Sequence, residues 1–257
     1  GYVIVNINGT NYTVNTTNGN GSVVIKDLGN GKYTVNVTYI GDDQYLSSTN
    51  GTEFTILRVQ PTFAVNGTDI TYGAKELIKF ESVENITAPI KVEINGRNYT
   101  AFIIEGKGNL TVENLAAGKY NVTVYFAGNN KYMNATANNT FTVSKATIPV
   151  VVIPQNITYG EFETITIYVN GTGKVNITVD ETMYLNKQIN DGKLVFDVPS
   201  YMTAGNYTVI VDYSGNANYT TNSGKANFTV AKKDPVMTVN VQNITYGGVE
   251  HIIVNVN

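Results

Sequence analysis

The sequence predicts an all-β protein in which small two-sheet sandwiches follow one another in tandem. The first observation is alternation in Gly118–Tyr132, where apolar side chains from Tyr120 to Phe126 share one side of a strand. The second is recurrence, because the same stretch returns 87 residues upstream as Gly31–Tyr45 and 87 residues downstream as Gly205–Tyr219. The third is that no long stretch repeats its apolar positions with the 3.6-residue period of a helix.

Other features keep the same interval of 87 residues. The motif Ile-Thr-Tyr-Gly begins at Ile70, Ile157 and Ile244. Recurring aromatic residues predict the core of each repeat: Tyr72, Tyr159, Tyr246, Phe54, Phe141 and Phe228. Three glutamates in register, Glu76, Glu163 and Glu250, are expected to be solvated charges at strand ends.

Turn residues divide the full repeat Val59–Lys145 into short strands. Asn95-Gly96 predicts a tight hairpin, because a type I′ turn needs positive φ at both central residues. The predicted strands are Pro61–Val65, Glu76–Ser82, Pro89–Ile94, Asn98–Ile104, Asn109–Val112, Gly118–Phe126 and Thr140–Ser144. Seven short strands with this spacing predict an immunoglobulin-like Greek-key sandwich, and tandem copies predict an elongated array.

Repeat boundaries are predicted at short joints that precede Pro61, Pro149 and Pro235. The first repeat (1–58) is partial and holds the last five predicted strands, the second (59–145) and third (146–232) are complete, and the fourth (233–257) holds the first two strands. One interpretation of the partial repeats is a window within a longer array. The other is that the final strands of one copy complete the first repeat of another and so build a filament.

A structural tyrosine corner is predicted at Tyr33, Tyr120 and Tyr207, near the start of the sixth strand of each repeat. The ring is expected to fill the core while its hydroxyl bonds the backbone of the preceding loop.

Composition excludes several classes of function. Charged residues make up 14% of the chain, with 17 basic against 20 acidic, so the basic face of a nucleic-acid-binding protein is not expected. No apolar run is long enough to span a membrane. Cysteine is absent, so disulfides and thiolate metal sites are not expected, and no metal or cofactor is predicted.

The Ile-Thr-Tyr-Gly motif, the Gly-x-Tyr-x-Val-x-Val strand and the richness in Asn and Thr carry a family resemblance over the whole chain. The chain resembles the immunoglobulin-like (Big-type) repeats of microbial surface proteins, most of all the adhesin-like proteins of methanogenic archaea. The resemblance implies a long secreted, cell-surface protein whose repeats act as spacers or contact modules. It transfers no catalytic or ligand-binding residues.

Asn-x-Ser/Thr acceptors for N-linked glycan are dense, as expected of an exported chain. Chance is the competing explanation, because any sequence rich in Asn and Thr generates such triplets. The candidates are Asn36, Asn85, Asn98, Asn121, Asn134, Asn138, Asn156, Asn206, Asn227 and Asn243.

Catalytic and metal sites are not predicted. Asp42-Asp43 is the best carboxylate pair for calcium, but Asn129-Asn130 replaces it one repeat later. A Ser-His-Asp constellation would depend on His251, the single histidine. An isopeptide cross-link would need a lysine such as Lys145 apposed to an Asn or Asp beside a buried acid, and intact mass would detect it. No enzymatic activity is therefore expected.

The functional prediction is a stalk or fibre segment of an extracellular adhesin-like protein, acting as spacer or adhesion scaffold. Its expected partners are neighbouring repeats, copies of the same chain, cell-surface glycans or another cell. The alternatives are the filament described above and a glycan- or surface-binding module. A binding module should concentrate its differences in a few loops, and the hairpin Asp180–Asp191 and the segment Val198–Ala204 of the third repeat differ from the second in length.

Overall fold

A computed structural model describes residues 1–257 and contains strands, turns and loops but no helix, so the protein is all-β. No helix is therefore present that has the length and apolar character to cross a membrane. The chain forms two compact units. Unit 1 comprises Gly1–Ile70, Ala74–Asn114 and Gly118–Thr142, and unit 2 comprises Thr71–Gly73, Leu115–Ala117 and Val143–Asn257.

The first repeat forms one antiparallel sheet. Its strands are β1 (Tyr2–Ile7), β2 (Thr10–Asn15), β3 (Gly31–Tyr39) and β4 (Ser48–Ile56), in the order β2-β1-β3-β4. Val5, Ile7 and Val14 are its buried side chains.

The second repeat contains eight strands rather than the seven predicted. They are β5 (Phe63–Asn66), β6 (Ile70–Thr71), β7 (Glu76–Ser82), β8 (Ala88–Ile94), β9 (Arg97–Ile104), β10 (Lys107–Val112), β11 (Gly118–Phe126) and β12 (Ala135–Ser144). Their order is β5-β7-β10-β9-β8-β11-β12-β6. The additional strand is β6, which lies in the crossing that follows β5. Strand β12 begins at Ala135 rather than at Thr140, since its alternation of buried and exposed side chains extends that far.

The third repeat is a sandwich of two sheets. Its strands are β13 (Val150–Ile153), β14 (Ile157–Thr158), β15 (Thr164–Val169), β16 (Gly173–Val179), β17 (Thr182–Ile189), β18 (Lys193–Asp197), β19 (Gly205–Tyr213) and β20 (Asn222–Ala231). One sheet has the order β13-β15-β18 and the other β14-β20-β19-β16-β17. Both contribute side chains to a single core, including Ile165, Ile167, Ile177 and Val209.

The fourth repeat is a hairpin of β21 (Met237–Asn240) and β22 (Ile253–Val256), whose side chains are all exposed.

The prediction of five strands in the first repeat is wrong, because Ser22–Ile25 forms no strand. The equivalent strands β10 and β18 pair with β7 and β15, the second main strand of their own repeats. Residues 1–58 contain no strand of that type. The segment therefore has no ladder to join, and Val24 is 80% exposed.

Candidate functional site

Three loops of the same construction connect the last two strands of the first, second and third repeats. A glycine with positive φ (Gly41, Gly128 and Gly215) precedes an Asp or Asn whose side-chain oxygen accepts two backbone N–H groups. In the second repeat, Asn129 Oδ1 accepts the N–H groups of Lys131 and Tyr132 at 2.8 and 2.9 Å. This is an Asx turn, which satisfies the loop's backbone and holds the closing tyrosine in place.

The first of these loops contains the carboxylate considered for calcium. Asp42 accepts hydrogen bonds from the Tyr39 hydroxyl and from the N–H groups of Gln44 and Tyr45. These bonds, that of Tyr39 first, lower the pKa of the Asp42 carboxyl. The Asp42 carboxylate therefore accepts the same pair of loop N–H groups that the Asn129 side chain accepts one repeat later. No group of three or more potential metal-ligating side chains is present in the chain.

The predicted tyrosine corners lie near the starts of β3, β11 and β19. The Tyr33 hydroxyl donates to the Gly29 carbonyl at 3.1 Å and that of Tyr207 to the Thr203 carbonyl at 2.9 Å. Each ring stacks on a phenylalanine of the neighbouring strand, with Tyr120 lying 5.2 Å from Phe141. The three rings are half-buried, so they close the rim of the core rather than fill it.

The core prediction is wrong for the tyrosines of the Ile-Thr-Tyr-Gly motif. Tyr72 is half-buried, Tyr159 is 52% exposed and Tyr246 is fully exposed. In the complete repeats β6 and β14 end one residue earlier, at Thr71 and Thr158, so Tyr72 and Tyr159 lie in the turn that follows and not in a strand.

Among the recurring phenylalanines, Phe141 and Phe228 are buried as predicted, but Phe54 is 38% exposed. Phe54 lies on β4, and the single sheet of the first repeat has no second sheet to cover it.

The glutamates expected to be solvated are instead buried in both complete repeats. Glu76 and Glu163 are each 0% exposed. Each glutamate accepts, through Oε1, the backbone N–H of the residue eight positions earlier: Thr68 at 2.8 Å, Gln155 at 2.8 Å, and Gln242 at 2.7 Å in the fourth repeat. The carboxylate thus satisfies a backbone N–H group in the crossing between β5 and β6 of the second repeat, and between β13 and β14 of the third.

The two variable segments of the third repeat meet in one groove of about 610 Å³. Asp180, Glu181, Thr182 and Tyr184 of the hairpin line it, together with Ser200, Tyr201, Met202 and Thr203 of the longer segment and with Tyr207. The lining contains two carboxylates and no basic side chain. Sequence comparison between repeats located both segments but did not predict that they share a site.

An exposed aromatic pair stands beside this groove. The rings of Phe162 and Tyr201 stack with centroids 4.4 Å apart, yet the side chains are 54% and 63% exposed. In the second repeat, Lys75 holds the position of Phe162 and forms a salt bridge of 2.6 Å with Glu113. The third repeat therefore presents apolar ring faces where the second presents an ion pair.

Asp180 has a structural role that sequence reasoning missed. It occupies the hairpin position of Asn95 with φ of 50°, and its Oδ1 accepts the N–H of Thr208 at 3.0 Å. In the same way, the Oδ1 atoms of Asn8 and Asn95 accept the backbone N–H groups of Thr34 and Asn121, at 2.9 and 2.8 Å. Of the two carboxylates in the groove, Glu181 is the one free of this structural bond.

The ten candidate glycosylation asparagines are all exposed. Three of them, Asn156, Asn206 and Asn227, share a groove on the β19–β20 face, where their Oδ1 atoms accept bonds from Thr229 or Thr208. Glycan at these positions stays a prediction, which the mass of protein purified from its source will test.

A domain family of unknown function (DUF8447) matches residues 78–148. No curated protein matches the chain in sequence.

Solved structures that are similar to this chain include immunoglobulin, fibronectin type III and adhesin modules. The titin Z1Z2 domains in complex with telethonin cover 70% of this chain and 100% of their own, with 14% identity and a TM-score of 0.41. FdeC, an Escherichia coli adhesin, covers 71% and 68%, with 16% identity and a TM-score of 0.31. Fibronectin(III)-like modules of Clostridium thermocellum CbhA cover 65% and 94%, with 13% identity and a TM-score of 0.29.

Proposed function

We propose that the chain is a structural segment of an extracellular, adhesin-like surface protein, in which the repeats act as spacer or adhesion scaffold. The observation that carries the proposal is the reuse of one loop, since Asp42, Asn129 and Asn216 make the same pair of backbone hydrogen bonds. What recurs from repeat to repeat is construction of the fold, as a scaffold requires. We expect no enzymatic activity.

Sedimentation of the purified chain and antibody labelling of intact source cells test the scaffold. We expect a monomer whose frictional ratio is well above that of a compact 27.9 kDa protein, and labelling without cell lysis. A compact frictional ratio, or labelling that requires lysis, would contradict the proposal. Species that grow with concentration would instead favour the filament, in which β21 and β22 of one copy complete the sheet of β1–β4 in another.

A second candidate function is glycan binding in the groove of the third repeat. It is favoured by the exposed Phe162–Tyr201 pair, because aromatic faces beside a few polar groups are usual in small-molecule sites. Glu181 supplies an acceptor for sugar hydroxyls at the same groove.

Screening the chain on an array of neutral polysaccharides tests this binding. We expect Tyr201→Ala to weaken binding at least tenfold, because it removes the aromatic face on which a sugar ring would stack. A tenfold change in the dissociation constant corresponds to about 1.4 kcal/mol. The matched control is Tyr168→Ala, because Tyr168 is an exposed tyrosine of the same repeat outside the groove. Equal loss in both variants, or no polysaccharide bound by the unaltered chain, would exclude the groove as a glycan site.

A further inference from the structure

The exposed tyrosines of the Ile-Thr-Tyr-Gly motif remain without a role in the core. Within unit 2, Tyr72 meets the tyrosine that closes the Asx-turn loop of the third repeat. The ring of Tyr72 stands edge-on to that of Tyr219, with centroids 5.3 Å apart and planes at 85°. This is a favourable arrangement for two aromatic rings. The backbone of Tyr72 is fixed as well, since its N–H donates to the Ser144 carbonyl at 2.8 Å.

A second contact reaches the same loop from another part of the second repeat. The N–H of Ala117, in the segment Leu115–Ala117 that also belongs to unit 2, donates to Asn218 Oδ1 at 2.9 Å. Asn218 directly precedes Tyr219. One loop therefore receives an aromatic ring and a backbone N–H from two separate segments of the preceding repeat.

The residues that join the two repeats bind this loop too. The Ala146 N–H donates to the Asn218 carbonyl at 3.0 Å, and the Thr220 N–H donates to the Ala146 carbonyl at 2.9 Å. Lys145 Nζ donates to the Asn216 carbonyl at 2.7 Å. Unit 1 repeats the backbone part of this pattern at Val59, which bonds Lys131 and Met133 at 2.9 and 2.8 Å.

The exposure of the motif tyrosines follows the presence of a loop partner. Tyr72 faces Tyr219 and is half-buried, whereas Tyr159 has the same sequence context, no such partner and 52% exposure. The register also places Ala204 of the third repeat where Ala117 stands in the second. The same pair of features is thus present again, uncovered, on the third repeat.

We infer that the Ile-Thr-Tyr-Gly motif is one half of a contact between successive repeats, and that its other half is the Gly-(Asn/Asp)-x-x-Tyr loop of the repeat that follows. The motif supplies one ring and the loop supplies its closing tyrosine ring; in the third repeat the Asn218 side chain adds an amide oxygen that accepts the Ala117 N–H. The surface around Tyr159 and Ala204 accordingly accepts a loop of this kind from a further repeat. This contact holds whether or not the array serves as a surface scaffold.

Hydrogen exchange of the full chain, followed by mass spectrometry, tests the inference. Tyr72→Ala should speed exchange of amides in residues 216–220 about fivefold, the effect of losing one edge-on aromatic pair. Tyr72→Phe keeps the ring and should exchange like the unaltered chain. Tyr159→Ala removes the equivalent residue without a partner and should leave residues 216–220 unchanged.

A second variant keeps the test independent of the aromatic residue. Asn218→Ala should speed exchange of the Ala117 amide, since it removes the side-chain acceptor of that N–H group. Unchanged exchange at residues 216–220 in Tyr72→Ala would overturn the inference. Equal acceleration in Tyr72→Ala and Tyr159→Ala would also overturn it, because it would reveal a general loss of stability.

Discussion

Gly108→Ala is expected to destabilise the second repeat by about 3 kcal/mol, the upper part of the usual range for overpacking a core. A Cβ at Gly108 would lie 2.2 Å from Cε2 of the Phe80 ring and 2.5 Å from the Phe102 carbonyl oxygen. Phe80 is the cross-strand partner of Gly108 and is only 2% exposed, so its ring has little room to move. Chemical denaturation, monitored by hydrogen exchange of amides in the second repeat, measures the loss in free energy of unfolding.

The third repeat provides the compensating change for this prediction. Its equivalent cross-strand pair is Ile167 and Leu194. Ile167 is smaller than Phe80, and Leu194 is larger than Gly108. Adding Phe80→Ile to Gly108→Ala should therefore recover part of the loss, and only part, because the Phe102 oxygen remains. Gly29→Ala is the control, since its Cβ would meet nothing within 4 Å. Additive effects in the double variant would contradict this explanation.

Gln155→Thr is expected to stabilise the third repeat by about 1 kcal/mol at neutral pH, the usual contribution of one hydrogen bond. Glu163 Oε2 is buried and has no hydrogen-bond partner. In the second repeat the equivalent oxygen of Glu76 accepts the Thr68 hydroxyl at 3.2 Å, but the third repeat has Gln155 at that position. A threonine there would supply the missing donor. The reciprocal control, Thr68→Gln, should destabilise the second repeat by a similar amount.

The stability of the third repeat should also depend on pH through Glu163. Burial raises the pKa of this carboxyl, and the N–H of Gln155 opposes the shift only in part. Below the ordinary glutamate pKa the group is protonated in both folded and unfolded chains and costs nothing. As pH rises through the raised pKa, the unfolded chain ionises more readily and stability is lost. The free energy of unfolding, followed from about pH 4, near the ordinary glutamate pKa, up to neutral pH, should decline less in Gln155→Thr than in the unaltered chain. An unchanged pH dependence would exclude Glu163 as its source.

Strands such as β11 were predictable because one face lies in a core and the other in water. Tyr120 to Phe126 alternate in sequence, and the side chains of β11 alternate in burial. The prediction failed at Ser22–Ile25 because residues 1–58 contain no equivalent of β7 and β15, the strands with which β10 and β18 pair. Strand propensity describes a residue, whereas strand formation requires a neighbouring ladder.

The roles of recurring residues were harder to predict than their positions. Recurrence of Tyr72 and Tyr159 indicates a constraint, but a core position and a contact between repeats both favour an aromatic ring. Recurrence of Glu76 and Glu163 was the available signal for burial, because solvated charges at strand ends rarely need fixed register. The pair of Phe162 and Tyr201 could not be predicted, since Tyr201 lies in a segment that differs in length from its counterpart in the second repeat.

The second repeat pairs the large Phe80 with Gly108, whereas the third repeat pairs Ile167 with Leu194. This difference in side-chain size limits how the genes of such proteins can recombine. A recombination event between the codons of the two paired residues would join Phe80 to Leu194, which overfills the interior, or Ile167 to Gly108, which leaves a void. Crossovers at the joints near Lys145 keep each pair intact. Duplication and shuffling should therefore proceed in whole repeats, with hybrid repeats removed by selection against unstable protein.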